Sequence, residues 1–566
     1  WRNTLTFARR ASAKRIALSV AVAASLVVGS AQTVEELTNP APGEWPTFGR
    51  TLDNHRFSPL DQINKETVSD LRLNWSISLE SAIDAQFSPV VYDGVMYLPA
   101  ADGATAVDAA TGDRLWVYQV DLAPNTPPFT AGRMRGGLVV FDGKVFGTTG
   151  DGRVFALDAS NGAELWSTAV GTLDLSEGFS AGPIFADGKI IVGPAGADMG
   201  GVNGRVVALD SESGEILWTF NTVPAPGEPG FETWNPPTAA QYGGASAWTP
   251  GVYDPVTRTV IYGTGNAIPW WAGAHREGDN LYVASYVALD IDTGALKWYH
   301  QAVPREEWDI DTINTPVVAD LTIDGQERRV AILALVTGYV VWVDADTGEL
   351  LQWEGYNPEF TIHLGYDENG KSIINDDMRW TEETAGEVHL VCPLRWVDYE
   401  PAALDPERGI YFRPNTHECY EMANNPPPAG WQPGESAINA ALTPLPDRFD
   451  RLGGLTAINA ATGEVVWDFP VDGYSQRSGV VATAGGLVFM GSADRVFRAF
   501  DSDTGEVLWQ QRLPAYIAGN PISYAVDGKQ YVAVPVGGAG NIMIARQTGA
   551  PELVTSEVMV FVFSLP

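Results

Sequence analysis

This chain has few cysteine, histidine and basic side chains for its length. Its 566 residues include 2 Cys, 6 His and 35 Lys or Arg against 70 Asp or Glu, so the formal net charge at pH 7 is −35. Such a surface repels phosphate backbones, and a nucleic-acid-binding role is therefore not expected. The charge suits a basic partner such as an electron carrier, but a merely well-solvated acidic surface explains it equally well.

Two familiar cofactor patterns are missing. No Cys-x-x-Cys-His occurs, so no covalently attached haem of the c type is expected in this chain. No Gly-x-Gly-x-x-Gly is evident between a strand and a helix, which disfavours a nicotinamide cofactor.

Long apolar runs are scarce. Only 16–28 forms one; basic residues precede it and the small residues 29–31 follow it. The run is short for a membrane span, so 1–31 is predicted to be a cleavable export signal, with an uncleaved anchor as the alternative. The mature chain, 32–566, has no stretch of about 18 apolar residues and is predicted to be soluble.

The two cysteines are Cys392 and Cys419. An even pair in an exported chain suggests one disulfide, which would close a long surface loop. Two free buried thiols are the alternative.

Glycine, proline and tryptophan are abundant. The 59 Gly, 38 Pro and 19 Trp, with 45% apolar and only 19% charged residues, indicate a globular, turn-dense β protein rather than a disordered chain.

An internal repeat sets the predicted fold. A short pattern occurs seven times. In each copy an Ala or Val comes before an Asp or Asn, a Gly follows four residues after that Asp or Asn, and a Trp comes after the Gly. The copies begin at Ala106, Ala156, Ala208, Ala288, Val343, Ala457 and Ala499, and in the Val343 copy the tryptophan, Trp353, comes one position late.

Each copy has a physical explanation. The strand ends at an Asp whose side chain can cap the following turn, Gly supplies the positive φ of a tight turn, and the next strand ends in Trp. Units of about 40 to 50 residues with this composition are typical of propeller blades, in which a Trp at a fixed offset would dock between neighbouring blades.

We count eight blades, and thus predict an all-β, eight-bladed β-propeller with tryptophan-docking repeats. The strand ending at Trp75 is expected to pair with C-terminal strands such as Val558 to Phe563 and close the ring. The segment from Asp405 to Gly409 is interpreted as a degraded turn in another blade. The gaps at roughly 219–285 and 354–450 must hold insertions or blades with decayed motifs.

Several further segments carry a family resemblance. They are Trp45-Pro-Thr-Phe-Gly, Arg56-Phe-Ser-Pro-Leu60, Tyr262-Gly-Thr-Gly-Asn266, Gly278-Asp-Asn-Leu-Tyr282, Glu307-Trp-Asp309 and Val526-Asp-Gly-Lys-Gln-Tyr-Val532. In this order they resemble the alcohol dehydrogenases that depend on pyrroloquinoline quinone (PQQ). The resemblance covers nearly the whole mature chain and implies a PQQ- and metal-dependent alcohol oxidation.

The resemblance also implies a catalytic base and metal ligands. It places Asp309 at the catalytic base, with Asp198, Asn266, Asp309 and Asp311 as metal ligands. Asp198 stands where the family has a longer Glu. If the segment is extended, Asp309 and Asp311 point to the same side and reach one ion. The alternative for these two residues is an exposed acidic loop, and the alternative for Asn266 is an ordinary Asn turn. An Asp at position 311 accompanies lanthanide use in this family, so a lanthanide is slightly favoured over calcium.

The predicted cofactor contacts centre on Trp248, which matches the tryptophan on which the family's cofactor stacks, with core packing as the alternative. The full predicted set is Gln86, Arg135, Ser180, Gly196, Ala197, Trp248, Arg395 and Trp396. Gln86 stands where the family has Glu, and Val336 or Thr337 stands where it has a cation, a charge that Arg395 would restore. Cys392 and Cys419 match a structural disulfide of the family, whereas its ring of adjacent cysteines is absent.

The leading interpretation is a periplasmic quinoprotein dehydrogenase that passes electrons to a separate cytochrome c or similar carrier. A non-catalytic propeller scaffold of the cell envelope, or a family member that has lost its cofactor, are the alternatives, because a propeller fold does not determine function.

Overall fold

The computed structural model describes residues 33–79, 84–199, 201–273, 275–432, 439–538 and 557–566. The predicted export signal, 1–31, lies outside these described residues. No helix in the described ranges is long and apolar enough to cross a membrane.

The described residues form eight four-stranded antiparallel sheets, which we number as blades along the chain. Blade 1 contains Arg72–Leu79, Ile522–Val526, Lys529–Val536 and Val558–Ser564. Blade 2 contains Val90–Tyr92, Val95–Ala100, Gly103–Asp108 and Arg114–Gln119. Blade 3 contains Val139–Phe141, Lys144–Thr148, Arg153–Asp158 and Glu164–Ala169. Blade 4 contains Ile184–Ala186, Lys189–Val192, Arg205–Asp210 and Ile216–Asn221.

The second half of the ring continues the same pattern. Blade 5 contains Val252–Asp254, Thr259–Gly263, Ser285–Asp290 and Leu296–Gln301. Blade 6 contains Val317–Ile323, Gln326–Ala334, Tyr339–Asp344 and Leu350–Gly355. Blade 7 contains Ala403–Asp405, Ile410–Thr416, Gly453–Asn459 and Val465–Val471. Blade 8 contains Val480–Thr483, Leu487–Met490, Val496–Asp501 and Val507–Arg512, and Phe57–Ser58 pairs in parallel with its first strand.

Two small sheets and several short helices lie outside the blades. One sheet pairs His363–Tyr366 with Ser372–Ile374, and the other joins Val388–Arg395, Glu418–Asn424 and Ala440–Pro444. The α-helix is Val34–Thr38, and the 3₁₀ helices are Val68–Asp70, Leu173–Leu175, Ala197–Met199, Phe231–Thr233, Pro237–Gln241 and Asp376–Met378. In the described ranges, the two long gaps of the repeat pattern hold insertions and the first two strands of blades 5 and 7, and not an additional blade.

The eight-bladed prediction is confirmed, and so is the closing pair. Arg72–Leu79 is antiparallel to Val558–Ser564, with Trp75 opposite Val562. The interpretation of the turn at Asp405 was wrong: it joins the first two strands of blade 7, the blade that already carries the copy beginning at Ala457. The blade without a copy of the repeat is instead blade 1, the closing blade, whose strands come from the N-terminal and the C-terminal parts of the chain.

Tryptophans dock between blades as predicted. At seven junctions an indole N–H donates to the carbonyl of the residue that follows the repeat Asp or Asn of the next blade, at 2.7–3.3 Å. The donors are Trp75, Trp116, Trp166, Trp218, Trp298, Trp342 and Trp467. At the eighth junction, Trp509 of blade 8 lies 5.4 Å from the Phe563 ring of blade 1.

Gly162 shows why the repeat needs glycine. Its φ is +73°, and a Cβ added there would lie 2.6 Å from the Trp116 ring of the preceding blade. The turn is also capped as predicted, because Asp158 Oδ1 accepts from the backbone N–H of Ser160 at 2.8 Å.

The late tryptophan of the variant copy has a different role. Trp342, one strand earlier, makes the junction hydrogen bond to Ala460 at 2.7 Å. Trp353 packs against Tyr339 and Tyr366, with ring centroids 5.6 and 5.5 Å apart, and so contacts the inserted hairpin.

Cys392 and Cys419 form a disulfide, which confirms the predicted pairing. Both residues are buried, and the bond joins two paired strands of the three-stranded insertion. The prediction that this disulfide closes a long surface loop is wrong. The segment between the two cysteines contains the first two strands of blade 7, which are buried.

Candidate active site

A cavity of about 360 Å³ opens at one end of the propeller. Its lining residues all lie in segments that precede the first strand of a blade or follow a second strand. In an antiparallel sheet the first strand begins at the edge where the second strand ends, so these segments from blades 3 to 7 meet at one end.

Nine of the predicted site residues line this cavity. They are Arg135, Ser180, Gly196, Asp198, Trp248, Asn266, Asp309, Asp311 and Arg395. Three others, which the structure also describes, do not line it. Gln86 is buried, Ala197 is buried between the lining residues Gly196 and Asp198, and Trp396 is buried with its ring stacked on Tyr356 at 5.6 Å.

Asp309 faces a cation. Its Oδ2 lies 2.7 Å from Nη2 of Arg395, and each side chain is 15% exposed. The condition of an extended segment is not met, since Asp309 has a φ of +68°. The alternation argument for Asp309 and Asp311 is therefore wrong, although both side chains still reach the same cavity.

Asp311 joins two other predicted residues. Its Oδ2 accepts from the indole N–H of Trp248 at 3.1 Å, and its Oδ1 accepts from the backbone N–H of Asn266 at 2.6 Å. The aspartate thus fixes the tryptophan ring and the start of the Asn266 loop with a single carboxylate.

Asp198 approaches the same region from blade 4. It lies in the short helix Ala197–Met199, and its Oδ1 accepts from the backbone N–H of Ser246 at 2.9 Å. A Cβ added to Gly265 would lie 2.6 Å from Asp198 Oδ1. The glycine therefore leaves room for a carboxylate next to Asn266.

Burial dominates the electrostatics of the three aspartates. It raises the pKa of Asp309 to about 7, against the opposing effect of Arg395, and raises the pKa of Asp198 to about 8. The pKa of Asp311 is also raised well above its usual value, first by burial and then by Asp198 and Asp309. Like charges held together in a cavity favour a bound cation.

These oxygens fit a hard cation by type. Carboxylate and amide oxygens are the ligands that Ca²⁺ and similar ions take, and Gly265 leaves space for them. In the described ranges, however, no three His, Cys, Asp or Glu side chains gather into a ready-made metal cluster. The aspartates bond instead to Arg395 and to N–H groups, so an ion would have to draw their oxygens together.

The Arg135 and Trp248 side of the cavity suits a planar anion such as PQQ. The Arg135 guanidinium lies 4.6 Å from the ring centroid of Trp248 and 4.9 Å from that of Tyr399. The Arg135 Nε is buried without a hydrogen-bond partner. A cation beside an aromatic face, with an unsatisfied N–H donor, suits a flat molecule that carries carboxylates.

Several lining residues were missed by sequence reasoning. Asp398 adds a fourth carboxylate, 3.9 Å from Arg395 and 3.2 Å from the buried Arg477. Phe129, Met199 and Leu442 line the cavity through loops or an insertion, where no periodic pattern marks them. Their positions depend on how the loops of different blades converge.

Three tryptophans from the two long gaps of the repeat pattern have different surroundings. Trp270 lines the cavity, whereas Trp271 is buried in the core. Trp431 packs on Tyr242 with ring centroids 4.8 Å apart and does not line the cavity.

Comparison with known proteins gives consistent matches. The family described as "PQQ: Glucose/ethanol/alcohol dehydrogenase, beta-propeller domain" matches residues 45–352 and 451–532. Quinoprotein alcohol dehydrogenase PedH of Pseudomonas putida is 32% identical over 560 residues, which cover 93% of this chain and 92% of that protein.

Two further matches agree. The dehydrogenase XoxF of Paracoccus denitrificans is 33% identical over 544 residues, with 90% of each chain covered. The structure of a europium-containing methanol dehydrogenase superposes with a TM-score of 0.85 at 29% identity, covering 94% of this chain and 100% of that one.

Proposed function

Because this chain belongs to the PQQ-dependent alcohol dehydrogenase family, we propose that it oxidises an alcohol to an aldehyde or ketone with bound PQQ and one metal ion. The observation that carries the proposal is the meeting of Asp309, Arg395 and three further oxygen ligands in one cavity. These residues come from blades 4 and 5 and from the connections between blades 5 and 6 and between blades 6 and 7. A non-catalytic scaffold does not require that they meet.

Asp309 is the proposed base. It lines the cavity and is 15% exposed, so a substrate hydroxyl can reach it. Burial raises the pKa of this carboxyl, which makes the carboxylate a stronger proton acceptor than an exposed one. Arg395, at 2.7 Å, orients the carboxylate.

Bound PQQ would supply a quinone that accepts the hydride from the alcohol carbon, with the ion acting as a Lewis acid on it. Val336 or Thr337 stands where the family has a cationic side chain, and Arg395 supplies that positive charge instead. The backbone supports this exchange, because the N–H of Trp396 donates to the carbonyl of Val336 at 2.9 Å and brings Arg395 next to it.

The proposed ion ligands are Asp198, Asn266, Asp309 and Asp311. With three carboxylates in the set, a trivalent lanthanide is favoured slightly over calcium, since attraction rises with the charge of the ion. The proposed cofactor contacts that line the cavity are Arg135, Ser180, Gly196, Trp248 and Arg395. Gln86, Ala197 and Trp396 stay predicted cofactor contacts, although they do not line it.

The substrate is proposed to carry an apolar group. The cavity wall includes Phe129, Met199, Trp270, Val336 and Leu442. Apolar walls with a few polar groups at one end are typical of sites that bind a small organic molecule. These five side chains offer a surface for the carbon chain while the hydroxyl faces Asp309.

Electrons are proposed to leave to a separate carrier such as a soluble cytochrome c, and the protein is proposed to act in the periplasm after export. The net charge of −35 favours a basic carrier.

The test is reconstitution of the purified mature chain with PQQ and no metal, calcium or lanthanum, followed by dye-linked oxidation of an alcohol series. Activity restored by one of the ions supports the proposal. If PQQ does not stay with the protein in gel filtration under any of these conditions, a scaffold or a relative that has lost its cofactor is the better conclusion.

A further inference from the structure

The candidate ligands on blades 5 and 6 lie in two separate segments, 264–270 and 306–312. The backbones meet where the N–H of Thr312 donates to the carbonyl of Thr264 at 3.0 Å. Beyond this bridge the two segments do not pair with each other; Ala267 instead forms an isolated bridge to Gly244, and the Asn266 N–H donates to Asp311 Oδ1 at 2.6 Å. Side-chain hydrogen bonds such as this one must therefore hold Asn266 and Asp309 in register.

Glu306 begins the second segment, and its fully buried carboxylate reaches backbone N–H groups of both segments. Its Oε1 accepts from the backbone N–H groups of Trp308 at 2.5 Å and Ile310 at 2.9 Å. Its Oε2 accepts from the backbone N–H of Ala267 at 3.4 Å. One carboxylate therefore brackets Asp309 on both sides and reaches the residue next to Asn266.

Arg276 completes the arrangement from the other direction. It is also fully buried, and its Nη2 donates to the carbonyls of Trp270 at 3.0 Å and Glu306 at 2.5 Å. Its Nε donates to the carbonyl of Pro269 at 3.0 Å. The N–H groups of the two segments thus bond to an anion, and their carbonyls bond to a cation.

We propose that Glu306 is a positioning residue that, together with Arg276, holds Asn266 and Asp309 at a fixed separation and so pre-organises the ion site. This inference rests on the proposed function. A buried charge is costly unless its hydrogen bonds are satisfied, and here they go to the backbone that carries the proposed ligands. Groups that orient metal ligands in this way typically change metal affinity by about 10- to 100-fold when they are lost.

Glu307 provides a matched control. It is equally buried and adjacent in sequence, but its carboxylate accepts from Arg379 at 3.1 Å and from the N–H of Ala272 at 3.4 Å. Removing its charge alters the local electrostatics without releasing Ala267 or Ile310.

The experiment titrates the PQQ-loaded mature chain with Eu³⁺ and follows the ion's luminescence, in wild type, Glu306→Gln, Glu306→Asp and Glu307→Gln. Gln keeps one oxygen for Trp308 and Ile310 but turns an N–H₂ toward the N–H of Ala267. Asp keeps the negative charge, but its shorter side chain reaches less far toward these N–H groups. Circular dichroism and the melting temperature check that each variant folds.

We expect both Glu306 variants to bind Eu³⁺ about 10- to 100-fold more weakly, and Glu307→Gln to stay close to wild type. With lanthanum, kcat of the Glu306 variants should recover as the ion concentration rises, which a misfolded fraction would not show. If Glu306→Gln does not fold, Glu306→Asp alone decides the result.

Equal Eu³⁺ affinity in wild type and the Glu306 variants would overturn the inference while leaving the proposed function in place. Equal weakening in the Glu306 and Glu307 variants would also overturn it, because charge and not positioning would then be responsible. A wild-type chain that binds neither PQQ nor Eu³⁺ would overturn the proposed function and the inference together.

Discussion

Arg395 and Asp309 form an ion pair in the candidate active site, with 2.7 Å between Nη2 and Oδ2. The two residues are 86 positions apart in the chain. Asp309 precedes blade 6 and Arg395 ends a strand of the insertion that follows it. The proposed base is thus oriented by a side chain that belongs to a different part of the propeller.

Replacing the proposed base should abolish most turnover. Asp309→Asn keeps the size of the side chain and removes its ability to accept a proton, so kcat should fall by about 10²- to 10⁴-fold. Steady-state kinetics of the PQQ- and metal-loaded enzyme would measure this. A variant that retains wild-type kcat would show that another group is the base.

The metal preference should depend on Asp311. Asp311→Ala removes one carboxylate, so lanthanum affinity should fall by about 10- to 100-fold and calcium affinity by less. Isothermal titration with each ion would report both values. Asp398→Asn, which alters a carboxylate in the same cavity that is not a proposed ligand, should have a much smaller effect; the opposite order would exclude Asp311 as a ligand.

The apolar wall should set the preference for chain length. Leu442→Asn places an amide on this wall, so KM for long-chain alcohols should rise by roughly tenfold, which corresponds to about 1.4 kcal/mol of lost apolar contact. KM for ethanol should change little. Leu364→Asn, at an exposed position outside the cavity, is the control, and uniform KM values across the series would argue against an apolar substrate.

Stability should depend on the contact between Gly162 and Trp116. Gly162→Ala must accept a positive φ and a Cβ only 2.6 Å from the indole ring. Gly143→Ala has a similar φ of +71° but no atom within 4 Å of the added Cβ. We expect Gly143→Ala to cost about 1 kcal/mol and Gly162→Ala about 1 to 3 kcal/mol more. Urea unfolding of both variants separates the steric cost from the backbone cost.

The protein should lose stability in mild acid through His300. Burial lowers the pKa of His300 to about 4, and its ring nitrogen lies 2.9 Å from the Tyr366 hydroxyl. In the unfolded chain the pKa is about 6.5, so between these values only the unfolded state takes up the proton. The free energy of unfolding should therefore fall as the pH decreases from about 6.5 toward 4, by up to about 1.4 kcal/mol per pH unit.

The variant His300→Gln isolates this effect. Relative to its own value at pH 7.5, its melting temperature should fall less than that of wild type between pH 6.5 and 4.5. Parallel curves for the two proteins would show that His300 does not contribute.

Much of the fold was predictable because it depends on local chemistry repeated along the chain. Asp158, Gly162 and Trp166 recur at a fixed spacing within one hairpin, so their spacing alone predicts a blade. The eight blades, the docking of the tryptophans, the closing strands and the pairing of Cys392 with Cys419 are confirmed. The family resemblance is confirmed as well, by matches that cover most of the chain. The export signal stays a prediction.

The expectations that were wrong required knowledge of the insertions. The turn at Asp405 belongs to blade 7, and the disulfide encloses buried blade strands in place of a surface loop. Irregular segments leave no periodic pattern, so the left-handed backbone of Asp309 could not be read from its neighbours.

The sequence by itself determined the architecture and pointed to nine residues that line one cavity, because blade repeats and short motifs are local. The roles of those residues remain predictions. Only the tertiary structure decided that Arg395 pairs with Asp309, that Trp248 bonds to Asp311, and that Glu306 spans two segments. Such contacts form where loops from different blades converge at one end of the ring, and their geometry depends on the packing of the whole propeller.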